Sequence, residues 1–216
     1  FLTLRVIFLI YAFFLNPPII ILPIISMLIK CMALTKEYHE LLKKMHVKKP
    51  KWGRNFRDRD IPKMMKEAIE TFAPKSILDF GCGAGVLVNK LKHLYPNINV
   101  TGWDPRFEGK MPEKVDMIIS TDVLEHVEPN LVQETLVDLG KRSEICQYHL
   151  IACFKAVAIL PDGRNAHLTV RTPDWWQVEL KHTGMDKFKE DAYAHLVDVP
   201  DKDPLATAYY ECILKK

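Results

Sequence analysis

Ser76-Ile-Leu-Asp-Phe-Gly-Cys-Gly-Ala-Gly85 is the stretch that decides the fold. Its apolar run at 77–80 carries one acid, Asp79, and then breaks into Gly81, Gly83 and Gly85. Val86, Leu87, Val88, Leu91 and Leu94 follow with helical periodicity. The pattern predicts a strand, a tight glycine loop and a helix. Glycine has no Cβ, so the backbone N–H groups of such a loop can approach a ligand closely. The next helix turns its positive end toward the same point. A nucleotide-like, partly anionic ligand suits that place.

The spacing narrows the ligand. A dinucleotide fingerprint needs G-x-G-x-x-G, and Val86 stands where its third glycine would be. No Gly-Lys-Ser/Thr follows, so the Walker pattern fails as well. Residues 97–103 read as a second strand, and Asp104 closes it 19 positions after Gly85. A lone acid after a strand is usually a cap or turn residue. Its distance from the glycine loop instead favours hydrogen bonds to the two hydroxyls of a ribose. Residues 115–120 read as a further strand, followed by Thr121-Asp-Val-Leu-Glu-His-Val-Glu-Pro129.

Asp79, Gly81, Gly83 and Gly85 match D-x-G-x-G-x-G. The chain thereby resembles the class I S-adenosylmethionine (SAM)-dependent methyltransferases. The string at 121–129 is similar to the fourth-strand region of the small methyltransferases of the ubiquinone-biosynthesis type. The resemblance implies an α/β Rossmann-like sheet with central parallel strands and an antiparallel last strand, over about residues 64–216. It implies SAM as cofactor, held by Asp79, Gly81, Cys82, Gly83 and Asp104 and flanked by Asp122 and Val123. Only residues 105–114, with two prolines and one glycine, separate Asp104 from the next strand. The third strand and its helices are therefore expected to be shortened or missing. In the family that strand ends on the adenine-binding acid, so no residue is assigned to adenine.

The remaining elements follow from periodicity and punctuation. Helices are expected at 36–45, at 61–72 with Pro62 in the first turn, at 130–143, and from Thr172-Pro173 to about 182, where Gly184 stops the last one. Strands are expected at 148–160, 188–193 and 208–214, with a turn at Pro161-Asp-Gly163.

Methyl transfer is an in-line displacement that needs positioned reactants and, for most acceptors, loss of a proton. Two segments beyond the strands carry suitable groups, 122–126 and 160–169. His126 and His167 are the candidate bases or positioning groups. Either could equally be a hydrogen-bonded packing residue. Asp122, Glu125 and His126 form D-x-x-E-H, to which His167 could be added in space. This resembles the E-x-x-E-H plus distant His metal site of the small-RNA 3′-end methyltransferases, although metal-free methyltransferases carry a similar string. A divalent metal on Asp122, Glu125, His126 and His167 therefore stands as an alternative. Trp175 or Trp176 could line an acceptor pocket or simply pack a helix on the sheet. Arg164 and Arg171 could meet an acidic acceptor or be solvated.

Composition bounds the rest. The 216 residues suit one domain plus a small extension, and 48% hydrophobic residues can build a core. The five cysteines are scattered with no C-x-x-C pair, which argues against a disulfide framework or zinc knuckle. The net charge of +3 hides a run at 43–59 with eight Lys or Arg residues and one acid, Asp58. That run could grip nucleic acid or anionic lipid, or be a solvated linker. Residues 6–29 carry no charge, long enough to span a bilayer, but Pro17, Pro18 and Pro23 interrupt them. Residues 1–31 read as a membrane anchor or as non-native upstream translation, since Met32-Ala-Leu-Thr would start a soluble chain. Residues 32–60 read as a short helix and basic linker, and 61–216 as the catalytic domain, placed in the cytoplasm under either reading. The acceptor is expected to be a small molecule bearing an oxygen or nitrogen. The rival readings are a nucleic-acid acceptor held by the basic run, and a non-catalytic binding module.

Overall fold

In the computed structural model, the described residues are 35–48, 60–106, 109–194 and 208–216. The hydrophobic stretch at 6–29 and the core of the basic run, residues 49–59, lie outside them. Ala33–Lys216 forms one compact unit. No helix among the described residues is long and apolar enough to cross a membrane.

Six strands make one sheet in the order β2-β1-β3-β4-β6-β5. They are β1 (Ser76–Phe80), β2 (Asn99–Trp103), β3 (Val115–Thr121), β4 (Ser143–Ala152), β5 (Asp186–Ala194) and β6 (Ala208–Lys215). Strands β1 to β4 pair in parallel, and β6 runs antiparallel between β4 and β5. The helices are α1 (Lys36–Lys48), α2 (Lys63–Phe72), α3 (Val86–Leu94), α4 (Val132–Arg142) and α5 (Pro173–Glu179).

The sheet is covered on both faces, and side chains on a strand alternate between them. Leu78, Phe80 and Ile118 join Leu136, Leu139, Trp176 and Tyr210 in one buried cluster. Their neighbours Ile77, Met117 and Ile119 join Met65, Ile69, Val88 and Leu91 in the other. A third cluster sets Tyr38 and Met45 of α1 against Leu160 and Ala166 of the loop after β4. Helix α1 begins where Thr35 Oγ1 accepts the Tyr38 N–H at 3.2 Å. Gly140 lets α4 approach the 3₁₀ turn Leu180–Thr183, because a Cβ there would lie 1.8 Å from the Thr183 carbonyl oxygen.

The expected loss of the third strand is realised: no strand occurs among the described residues between Trp103 and Val115. β2 is therefore an edge, with exposed residues at Asn99 and Gly102. β1 lies between β2 and β3, and that reversal of strand order opens a crevice beyond the carboxyl ends of the strands.

Two expected boundaries are corrected. The strand expected at 148–160 is Ser143–Ala152, starting directly from the last turn of α4. The Cys153 N–H still donates to the Ala208 carbonyl of β6, and beyond that bond the chain leaves the sheet. Val157 is 97% exposed, so the apolar run continuing past Ala152 misled the expectation. Pro62 is the cap of α2 rather than a residue of its first turn. The last helix stops as expected, with Gly184 in the left-handed region at φ 68°.

Candidate cofactor and acceptor site

Gly81, Gly83 and Gly85 all take positive φ, at 78°, 55° and 75°. Gly81 also has no room for a side chain, since a Cβ would stand 2.5 Å from Val123 Cγ2. The N–H groups of the three glycines and of Cys82 are already used within the protein. Gly81 and Cys82 both donate to the Trp103 carbonyl, at 2.8 and 3.1 Å, and Gly85 donates to the Cys82 carbonyl at 2.8 Å. Gly83 donates to Asp104 Oδ2 at 3.0 Å. This corrects the expectation that these amides face a ligand. They lash the loop to the end of β2, and what remains is a bare backbone surface for close approach.

Gly102, one strand over, is a residue the sequence reading passed by. A Cβ there would meet Cys82 Sγ and Val88 Cγ2, both at 2.8 Å. A glycine inside a strand is the available signal for such close packing. Cys82 itself is no thiolate, because burial and the charges of Asp79 and Asp104 push its thiol up to about 12.

The two acids lie side by side. Asp79 is 2% exposed, and burial followed by the charge of Asp104 raises its carboxyl to about 7. Asp104 accepts Arg106 Nε on Oδ1 at 2.7 Å and Arg106 Nη2 on Oδ2 at 2.9 Å. The guanidinium fork and the Gly83 amide fix the plane of the carboxylate. Trp103 stacks on Phe80 with ring centroids 5.3 Å apart.

β3 delivers the next group. Asp122 sits at φ 53°, a left-handed conformation rare outside glycine, and its N–H donates to the Leu150 carbonyl at 3.0 Å. That turn lays Val123 against Gly81 and begins the 3₁₀ turn Leu124–His126. Strain of this kind concentrates at functional sites.

Glu125 is fully buried, and neither carboxylate oxygen has a partner at full hydrogen-bond geometry. Burial and then Asp122 raise its pKa well above the carboxylate range, while the backbone amides of Glu125, Ala152 and Val123 only partly oppose this. His126 Nδ1 donates to the Ala166 carbonyl at 2.7 Å and His167 Nδ1 to the Phe154 carbonyl at 2.5 Å. The two imidazoles meet edge to face, 4.8 Å between centroids. His167 Nε2 lies 4.0 Å from Glu125 Oε1. Burial lowers the His167 pKa, with the Phe154 bond and Asp122 pulling the other way.

The loop carrying His167 is held at several points. Asn165 Oδ1 accepts from the Ala156 and His167 amides, and its Nδ2 donates to the Ala156 carbonyl. Thr169 donates its N–H to the Glu125 carbonyl and its hydroxyl to the Val127 carbonyl. Asn165 and Thr169 escaped the sequence reading because their partners are backbone amides and carbonyls with no pattern of their own. Of the four residues considered for a metal, Glu125, His126 and His167 bring ligand atoms within 4.8 Å of one another, and Asp122 is outside that group. Trp176 is fully buried in the core and packs α5 on the sheet. Trp175 is half-buried under Arg171. Arg164 is exposed and paired with Asp162.

The sequence matches the methyltransferase domain family over residues 54–198. No curated protein matches it significantly. Among solved structures, it is similar to 1,6-didemethyltoxoflavin-N1-methyltransferase of Burkholderia thailandensis, solved with 1,6-didemethyltoxoflavin and S-adenosylhomocysteine. That match has 14% identity, a TM-score of 0.51, and 87% and 92% of the two chains covered. A SAM-dependent methyltransferase of Methanosarcina mazei is similar at 10% identity and a TM-score of 0.51, with 73% and 99% covered. An O-methyltransferase family protein of Burkholderia thailandensis matches at 12% identity and a TM-score of 0.47. There the match covers 71% of this chain, which spans just over half (56%) of that protein. At these identities the likeness is one of fold.

Proposed function

This chain belongs to the methyltransferase domain family, and on that premise we propose that it transfers a methyl group from SAM to an oxygen or nitrogen of a small molecule. The observation that carries the reading is the junction of the glycine loop with Asp104, closed by the Gly83–Asp104 bond of 3.0 Å. It sets a bare loop and two adjoining carboxyls at the reversal of strand order, where ligands of such sheets bind.

Asp104, whose oxygens already accept from Gly83 and from the Arg106 amide and guanidinium, exchanges the Arg106 fork for the ribose hydroxyls when the cofactor binds. Asp79, Gly81, Cys82 and Gly83 form the floor under the cofactor, and Asp122 and Val123 flank it. SAM carries a net positive charge, and Asp79, Asp104 and Asp122 favour a cation in the crevice. In the transfer, the acceptor atom attacks the methyl carbon in line with the departing sulfur. The S–CH₃ bond breaks as the new bond forms, S-adenosylhomocysteine leaves, and the acceptor's proton is lost. His126 and His167 position the acceptor or assist loss of that proton, each with its Nε2 lone pair turned away from its carbonyl tether.

The supporting neighbour of near-equal length acts, by its name, on 1,6-didemethyltoxoflavin. A small acceptor is therefore favoured over a polymer. Calorimetry with SAM and S-adenosylhomocysteine tests the cofactor, with micromolar affinity expected and no binding at millimolar SAM overturning the reading. A labelled-SAM screen over hydroxylated and amine-bearing small molecules, with RNA as a parallel arm, tests the acceptor. Label appearing in RNA alone overturns the small-molecule assignment.

A further inference from the structure

We propose that Arg106 is a built-in competitor of the cofactor ribose, a residue that sets how tightly the site holds SAM and how readily it gives up S-adenosylhomocysteine. The inference rests on the SAM reading and on Asp104 as the ribose acceptor.

A count of lone pairs carries it. A carboxylate offers about four acceptor positions and can take a guanidinium two-pronged. Asp104 Oδ1 accepts the Arg106 amide at 3.0 Å and Arg106 Nε at 2.7 Å. Its Oδ2 accepts the Gly83 amide at 3.0 Å and Arg106 Nη2 at 2.9 Å. The carboxylate is therefore saturated, and two ribose hydroxyls can bind it only by exchange. Both amides belong to backbone, one in the glycine loop and one in the turn at Pro105 and Arg106. Of these donors, only the guanidinium leaves by side-chain rotation alone.

Two features make Arg106 a strong competitor rather than a loose surface partner. Its side chain is 12% exposed and that of Asp104 is 9% exposed, so solvent screens the pair weakly. The Arg106 amide also closes a short turn onto Asp104 across Pro105, whose ring fixes φ. A displaced guanidinium thus stays within reach of the carboxylate and acts at a high effective concentration. Its placement has an electrostatic reason as well. Asp79 and Asp104 are close enough to repel each other. Arg106 offsets that repulsion, and SAM, itself a cation, takes over the role when it displaces the guanidinium.

The consequence is quantitative. A ligand that binds only the fraction of molecules with Asp104 open has its apparent affinity reduced by that fraction. SAM and S-adenosylhomocysteine carry the same ribose, so one common factor weakens both. The product leaves more readily than the fit of the site alone would allow, and the site fills at a higher cofactor concentration.

The test is calorimetry on the full chain carrying Arg106→Ala or Arg106→Gln, each checked for folding by thermal melting. SAM and S-adenosylhomocysteine are both expected to bind about tenfold or more tightly than to the parent, by the same factor. Adenosine, which keeps the ribose diol, is expected to gain likewise. The 2′,3′-dideoxy analogue of adenosine offers Asp104 no hydroxyl and is expected to gain nothing. A purely structural Arg106 predicts the opposite sign, weaker binding throughout, and that result overturns the proposal. A gain for SAM alone, which removal of a positive charge would produce by itself, overturns it too. So does a change within about threefold for both cofactors, or an equal gain by the dideoxy analogue. If one variant unfolds, the other decides. If neither folds, the proposal falls, because a group displaced in every turnover is not one on which the fold depends. Failure of the SAM reading looks different: neither parent nor variants then bind SAM, S-adenosylhomocysteine or adenosine. Binding by the parent without a gain in the variants removes the role of Arg106 alone.

Discussion

The backbone amide of Gly83 donates to Asp104 Oδ2 at 3.0 Å, so the glycine loop and the end of β2 move as one body. Asp104→Ala removes both this tether and the proposed ribose acceptor. Hydrogen bonds to a charged group contribute about 1.5–3 kcal/mol, so SAM affinity should fall roughly 10- to 150-fold by calorimetry. Asp104→Asn, which keeps one acceptor oxygen, should lose less.

Asp79 predicts a pH dependence. Its carboxyl is raised to about 7, where an unfolded aspartate titrates near 4. Between these values the folded chain holds a proton that the unfolded chain has released. Asp79 therefore contributes stability at acid pH that is lost as pH rises through about 7. Cofactor binding runs the other way, because a cation prefers the ionised form. SAM affinity should rise from pH 5.5 to 7.5 and level off, and Asp79→Asn should flatten both profiles.

Gly81→Ala sets a methyl group 2.5 Å from Val123 Cγ2 at a φ of 78°. Overpacking and backbone strain each cost about 1–3 kcal/mol. Urea denaturation should show a loss of that order, and Val123→Ala in the same chain should recover the steric part only.

Gly140→Ala meets a backbone oxygen rather than a side chain, with the added carbon 1.8 Å from the Thr183 carbonyl. Helix α4 must separate from the 3₁₀ turn, costing about 3 kcal/mol or slightly more. A matched melt of Gly163→Ala, where a Cβ meets nothing within 4 Å, isolates the cost of positive φ that the Gly81 variant carries and the Gly140 variant does not.

On the proposed function, His126 and His167 act in the transfer step rather than in cofactor binding. Replacing either by alanine should lower kcat about 100-fold or more. SAM affinity should stay within about twofold. A parallel loss of SAM affinity would place them in the cofactor site instead.

The residues that could be read in advance carry their constraint locally. Gly81, Gly83 and Gly85 must turn left-handed within five residues, and Asp104 closes the next strand at a fixed interval. The prolines and short span after Asp104 announced the missing strand. The end of β4 was not legible, because Val157 is apolar yet exposed, and only the Cys153–Ala208 bond shows where the ladder stops. Trp175 and Trp176 were indistinguishable by type, and only packing sends Trp176 to the core.

The amino-acid sequence by itself determined the order of strands and helices, the glycine loop and the identity of the acids beside it, because backbone conformation and hydrophobic periodicity act over a few residues. The tertiary structure decided which N–H groups the loop retains, how the two imidazoles are tethered, and that Glu125 rather than Asp122 faces His167. Those outcomes depend on contacts such as His167 with Phe154, 13 positions apart, and His126 with Ala166, 40 apart, whose geometry exists only once β1 to β4 lie side by side in the sheet.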